Sequence, residues 1–104
     1  PGAAQQFIEQ ARSRYDELLS RYPAAFADHG AEFFSGPGDQ AQRALELALA
    51  NLDRRPTERA YLVAIEVAQS AGHSDVACTL ARNVGTDTAN RVLRTRVRST
   101  LDGC

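Results

Sequence analysis

The chain has 104 residues, a length that suits one domain, residues 1–104, with a single core of modest stability. Hydrophobic residues make up 43% of it and charged residues 24%, which is typical of a folded soluble protein and excludes a disordered chain. The formal net charge of −1 argues against a protein built mainly to hold nucleic acid or an anionic membrane.

The sequence shows no targeting or membrane segment. No run of about eighteen apolar residues exists, so we expect no membrane-spanning helix. Residues 1–6 lack the charged n-region and the apolar h-region of a signal peptide, and no initiator Met precedes them. We therefore expect a processed or excised piece of a longer protein, and we favour a cytoplasmic location.

Two opening helices are predicted in residues 5–35. The first runs from Gln5 to Arg21 and the second from Ala24 to Ser35, with Pro23 ending the first. Apolar residues recur in the first at three- and four-residue steps, and they are Phe7, Ile8, Ala11, Tyr15, Leu18, Leu19 and Tyr22. Gly30 in the second costs about 1 kcal/mol relative to Ala, which indicates a neighbouring helix that crosses closely there.

A glycine- and proline-rich stop, residues 35–39, separates these helices from a third. Gly can take the left-handed conformation after a helix, and Pro cannot continue one. Asp39 is predicted to cap the third helix, and Gln42, three residues later, resembles the partner in a capping box. We expect this helix to end near Asp53.

Three further helical segments are predicted. The fourth runs from Thr57 to Ala71 and has apolar residues on more than one face, as expected of a helix contacted from both sides. A shorter fifth helix spans Ser74 to Val84, ended by Gly85, and the last segment covers residues 86–101. The apolar stripe predicted for this last segment consists of Val92, Leu93, Val97 and Leu101.

The only cysteines are Cys78 and Cys104, and they have no C-x-x-C spacing that would suggest a metal or redox pair. Cys78 follows Ala77 on a helical face where a small apolar residue is expected, and a free buried cysteine behaves in that way. We favour that interpretation, and a disulfide from Cys78 to the tail remains the alternative.

Some residues recur at a fixed interval along the chain. Ala11, Ala44 and Ala77 stand thirty-three residues apart, and Tyr15, Ala48 and Ala81 have the same spacing. Pro23 and Pro56 each follow the Ala of their unit by twelve residues. The stretch from residue 44 to residue 81 then reads Ala44, Ala48, Leu52, Pro56, Tyr61, Ile65, Ala68, Gly72, Ala77 and Ala81.

In this register the stretch resembles the tetratricopeptide repeat (TPR), with residues 39–84 as the best-matching region. The resemblance implies an all-α fold of antiparallel helix pairs, stacked as a short solenoid. Residues 86–101 would then be the C-terminal capping helix, whose outer face is polar.

The resemblance also implies a function, that of a scaffold that binds a peptide or a helix of another protein in its concave groove. Residues of the first helix in each repeat line that groove in the family. Carried over to this chain, they are Asp28, His29, Glu32, Arg59, Leu62, Val63, Glu66, Gln69 and Ser70. The set lacks the cluster of basic residues with which TPR modules clamp a C-terminal carboxylate, so we do not expect that type of ligand.

Two other functions stay open. Arg91, Arg94, Arg96 and Arg98 form a possible basic patch that could neutralise phosphates of a nucleic acid, although the aromatic groups that usually accompany such a face are missing. A solvated face on a capping helix is the simpler interpretation of this patch. The chain could also be a structural fragment of a longer repeat protein.

We expect neither an enzyme nor a cofactor. The sequence has no G-x-S-x-G, P-loop or G-x-G-x-x-G motif, and His29 and His73 lack ligand partners at metal-binding spacing.

The first helix has the pattern of a second repeat helix whose mate is missing, so part of its apolar strip should face outward. The residues concerned are Phe7, Ile8, Tyr15 and Leu18. We expect either a homodimer through this helix or cover from a segment outside the chain.

Overall fold

The computed structural model describes residues 2–104, and within that range it contains six α-helices and no strand. The helices are α1 (Ala3–Arg21), α2 (Pro23–Ser35), α3 (Ala41–Arg54), α4 (Glu58–Ser70), α5 (Ser74–Val84) and α6 (Arg91–Asp102). About 80% of the chain is helical. The predicted all-α fold, with more than about two-thirds of its residues in helices, is therefore confirmed.

Each helix packs against the next one along the chain, and α4 also contacts α2 and α6. Within residues 2–104, the backbones of α1, α3 and α5 do not approach one another closely, although an ion pair of Asp16 with Arg43 joins α1 to α3. The helices therefore form two rows, one in which α4 lies between α2 and α6 and contacts both, and one of α1, α3 and α5. Because α4 contacts four other helices, it buries Ala60, Val63, Ala64, Ile65, Val67 and Ala68, in keeping with the apolar residues predicted on more than one of its faces.

Small residues allow these helices to approach closely. Ala44, Ala48, Ala77 and Ala81, four of the residues at the thirty-three-residue spacing, are all buried. The expected close crossing at Gly30 is also confirmed, because Leu19 of α1 lies over this glycine. A β-carbon added to Gly30 would stand only 3.1 Å from Leu19 Cδ1.

The contact between α1 and α2, which joins the two rows at the start of the chain, is aromatic. The rings of Tyr15 in α1 and Phe33 in α2 are stacked with centroids 4.9 Å apart, and Phe34 is fully buried beside them. Stacked rings contribute about 0.5–1.5 kcal/mol beyond the area they bury. This contact covers the C-terminal half of α1, whereas Phe7, nearer its start, is 69% exposed. The expected outward-facing strip is therefore present at Phe7 and covered at Tyr15.

The predicted capping box at the start of α3 is wrong. Asp39 has a left-handed backbone with φ of 52°, and the residue before the helix is Gln40, which makes no side-chain capping bond. The turn instead closes on α2, because the amides of Gly38 and Gln40 donate to the carbonyls of Phe33 and Phe34, each at 2.8 Å. These bonds place Asp39 within the turn, and α3 begins without a side-chain cap.

The last helix begins five residues later than predicted. Gly85, with φ of 75°, ends α5, and the side chain of Asn90 accepts a hydrogen bond from the Leu93 amide at 3.0 Å, which starts α6. Residues 86–90 form a link, in which the Thr88 hydroxyl donates to a carboxylate oxygen of Glu58 at 2.9 Å. The predicted range 86–101 is therefore corrected to Arg91–Asp102.

The apolar stripe of α6 is also narrower than predicted. Leu93 and Val97 are fully buried, but Val92 is 64% exposed. At about 100° per residue, Val92 lies roughly a quarter turn away from the buried face, which Leu93 and Val97 share.

Cys78 and Cys104 form a disulfide with a sequence separation of 26, so the interpretation of Cys78 as a free buried cysteine is wrong. The packing of α6 on α5 brings the two α-carbons within 6.0 Å, a proximity that spacing alone does not reveal. None of the helices in residues 2–104 is long and apolar enough to cross a membrane.

Candidate interaction surface

The row of α2, α4 and α6 presents three neighbouring depressions. The one between α4 and α6, here called the α4–α6 trough, has a volume of about 440 Å³. A second, of about 280 Å³, lies between α2 and the C-terminal half of α4, and we call it the α2–α4 trough. A third, of about 160 Å³, lies near Asp28 where α4 begins.

The predicted groove residues are distributed over these depressions. Glu32, Val63, Glu66 and Ser70 line the α2–α4 trough, and Asp28, His29 and Arg59 line the depression near Asp28. Leu62 and Glu66 form one wall of the α4–α6 trough. Gln69 lies apart from these, next to the disulfide. The predicted set thus lies on neighbouring helices but does not form one pocket.

Val63 requires a correction. It is only 3% exposed and packs in the core, so a partner could touch no more than a small part of it. The register carried over from the repeat family therefore assigns one core residue of α4 to the surface.

Arg59 connects three helices through the carboxylates of α2. Its guanidinium forms an ion pair with Asp28 at 3.8 Å and hydrogen-bonds Glu32, and Asn51 of α3 donates to Asp28 at 2.9 Å. Asn51 is 6% exposed, so this last bond satisfies a buried amide. Three of the predicted groove residues thus interact across the interface of α2 and α4, two carboxylates with one guanidinium, and exposed ion pairs of this kind contribute about 0–1 kcal/mol each.

A second polar network connects α4 to α6. Arg96 forms an ion pair with Glu66 at 3.7 Å and donates to Gln69 at 3.4 Å. Gln69 in turn donates to the buried hydroxyl of Thr100 at 3.0 Å. Arg96 is therefore directed toward α4.

The four arginines of α6 consequently do not form one patch. Arg91, Arg94 and Arg98 recur at three- and four-residue steps and share a face, whereas Arg96 lies on the side toward α4. Arg94 donates to the carbonyl of Thr88 at 3.2 Å. Arg91 and Arg98 have no ion-pair or hydrogen-bond partner within residues 2–104.

The sequence analysis did not find the second wall of the α4–α6 trough. That wall consists of residues of α6, namely Arg91, Val92, Thr95, Arg96 and Ser99. The stripe assigned to α6 placed Val92 in the core, and Thr95 and Ser99 gave no signal of their own. A helical wheel centred on Leu93 and Val97 would have placed Val92 outside the core.

The chemistry of this surface is that of noncovalent contact. It combines aliphatic carbons, hydroxyls and arginines, and the carboxylates of Asp28, Glu32 and Glu66 are engaged with arginines. Residues 2–104 contain no group of three or more His, Cys, Asp or Glu side chains placed to hold a metal ion. Comparison with known proteins finds no matching family model, no similar curated protein and no similar solved structure.

Proposed function

We propose that this chain is a protein-interaction module, a short TPR-like stack that holds a peptide or a helix of a partner protein against the surface of α2, α4 and α6. The observation that carries the proposal is the α4–α6 trough, in which exposed Val92 and half-buried Leu62 lie between polar walls. Apolar contact area bordered by hydrogen-bonding groups is the usual composition of a peptide-binding groove.

The contact pattern supports the TPR-like part of the proposal. Stacked helix pairs bring the first helices of successive units side by side, and here α2, α4 and α6 are neighbours in that manner. The small residues at the repeat spacing, Ala44, Ala48, Ala77 and Ala81, are buried where helices cross.

We propose binding rather than catalysis because the carboxylates of this surface are already engaged. Asp28 and Glu32 pair with Arg59, and Glu66 pairs with Arg96. Nucleic-acid contact is the alternative, carried by the free guanidinium groups of Arg91 and Arg98. A structural role within a longer repeat protein is the other alternative.

A selection from a random peptide display library tests the proposed function. Peptides bound by the immobilised chain would be measured again with Val92→Glu and with the matched control Phe7→Glu. Both replace an exposed apolar residue by Glu, and the two residues are 64% and 69% exposed, so neither removes core contacts. We expect Val92→Glu to weaken binding at least tenfold, which is about 1.4 kcal/mol, and Phe7→Glu to leave it unchanged.

Two results would contradict the proposal. Recovery of no peptide above the background of the bare support would argue against a peptide-binding module. Peptides that lose affinity with Phe7→Glu but keep it with Val92→Glu would place the binding face on α1 instead. Circular dichroism of both variants confirms that the helices are retained.

A further inference from the structure

We propose that the segment bound in the α4–α6 trough is acidic, an internal stretch of a partner protein that places an apolar side chain against Leu62 and Val92 and carboxylates beside Arg91. This inference rests on the proposed function and specifies the partner's chemistry. It follows from which charges along the trough are neutralised and which are not.

The acids near the trough are engaged by this chain's own groups. Glu66 pairs with Arg96, and Glu58, at the start of α4, accepts a hydrogen bond from the Thr88 hydroxyl. Farther along the same surface, Asp28 and Glu32 pair with Arg59. A cationic partner in the trough would therefore have to displace Arg96 before it met the carboxylate of Glu66, the acid that lines this trough.

Three of the arginines on α6 have no acidic partner within residues 2–104. Arg91 and Arg98 have no partner within residues 2–104, and Arg94 is bonded to a neutral carbonyl, so its charge is uncompensated. Asp87 in the preceding link, Asp102 in the last turn of α6 and Glu58 on α4 are as many acids as these three arginines, but none of the three acids lines the trough. Among the charged side chains that do line it, Glu66 pairs with Arg96 and Arg91 is left without a partner, so the lining carries an excess positive charge and complementarity favours an acidic occupant.

The trough also offers contacts that a small inorganic ion would not use. Val92 and Leu62 supply aliphatic surface, and the hydroxyls of Thr95 and Ser99 have no hydrogen-bond partner among the described residues. A volume of about 440 Å³ falls in the range of roughly 300–1,000 Å³ typical of ligand sites. This space suits one or two side chains of a segment whose backbone continues outside the trough.

These features favour a peptide over a nucleic acid. Single-stranded nucleic acids gain much of their affinity by stacking bases on aromatic rings, and the residues that line the trough are aliphatic or polar. The carboxylate of Glu66 also faces the trough, where it would oppose a run of phosphates. Isolated carboxylates on a peptide can instead lie near Arg91 and away from Glu66.

The inference is tested with the peptides recovered by the display selection. They would be synthesised with acetylated and amidated ends, so that only side-chain carboxylates remain, and each would be compared with versions in which Asp and Glu become Gln or Lys. Fluorescence anisotropy would give affinities in low and high salt, about 50 and 300 mM. We expect the acidic peptides to bind about five times more tightly than the Gln versions in low salt, and the difference to shrink in high salt.

Two variants locate the contact. Arg91→Glu should weaken the acidic peptides about fivefold or more and strengthen the Lys versions, while Arg14→Glu on α1 makes the same change in net charge and should have less than a twofold effect. Arg91 is the first residue of α6, where a negative charge suits the helix dipole, so lost binding would not result from an unfolded helix.

The outcomes separate this inference from the proposed function. Recovered peptides that depend on Val92 but bind equally well as Gln versions, or that are unaffected by Arg91→Glu, would leave the interaction module standing and overturn the acidic partner. Recovery of no peptide would overturn both. Binding of a poly-uridine oligonucleotide that falls with Arg91→Glu, in the absence of acid-dependent peptides, would replace the acidic partner with a nucleic acid.

Discussion

Replacing Cys78 and Cys104 by Ser should lower the free energy of unfolding by about 3.5 kcal/mol. The disulfide joins residues 26 positions apart, and the chain-entropy relation for a closed loop of this length gives that value at 25 °C. A domain of this size is stable by about 5–15 kcal/mol, so the cross-link accounts for a large share. A fall in Tm of roughly 14–28 °C follows, at about 4–8 °C for each kcal/mol.

Urea unfolding followed by far-ultraviolet circular dichroism measures this change. The folded signal should be preserved, because Leu93 and Val97 hold α6 in the core without the cross-link. The m value should rise, since an unfolded chain without the loop exposes more surface. Wild-type protein in reducing agent is the control and should match the double Ser variant. If oxidised, reduced and substituted proteins unfold within about 0.5 kcal/mol of one another, the entropic reasoning is wrong for this chain.

Three further predictions concern the rest of the fold. Gly38→Ala should destabilise the protein by about 1–3 kcal/mol in the same urea assay, because the new β-carbon would stand 2.9 Å from the fully buried ring of Phe34. An unchanged midpoint would show that the ring can move aside. Asn51→Ala removes a buried hydrogen bond to a carboxylate of α2 and should cost about 1.5–3 kcal/mol, whereas a cost near zero would mean that solvent replaces the bond. Replacing Phe7 and Ile8 by Ser should weaken self-association through α1 in sedimentation velocity with little loss of helicity, and a wild-type protein that stays monomeric at high concentration would contradict this.

The helices themselves could be predicted because their signals are local. Apolar residues at three- and four-residue steps locate α1, α3 and α5. The limits of α4 are set by Thr57 and Gly72, and the Thr57 hydroxyl caps the helix by accepting a hydrogen bond from the Ala60 amide at 3.0 Å. The predicted start of α6 was wrong because the sequence analysis did not identify Asn90 as the N-terminal cap. The link before Asn90 is fixed by a contact of Thr88 with Glu58, thirty residues earlier.

The candidate surface was predicted only in part, for a related reason. Periodicity within a helix indicates which residues share a face, and Leu62 and Glu66, which were carried over from the repeat family, line the α4–α6 trough together. Such periodicity contains no information on pairing between helices, such as that of Arg59 with Glu32, 27 residues earlier. Periodicity does not reveal the disulfide either, because its two cysteines become neighbours only after α5 and α6 pack.

The unequal number of neighbours around each helix has a consequence for local opening. Within residues 2–104, α1 packs on α2 alone and adds only side-chain bonds from Asp16 to Arg43 and from Arg12 to the Gly38 carbonyl. By contrast, α4 packs on four helices, and α6 is held by α4, α5 and the disulfide. Opening α1 breaks one helix–helix interface, while releasing α4 breaks four. Backbone amides in α1 should therefore exchange with deuterium by fluctuations that leave the other helices closed, and amides in α4 should exchange only when the whole domain unfolds.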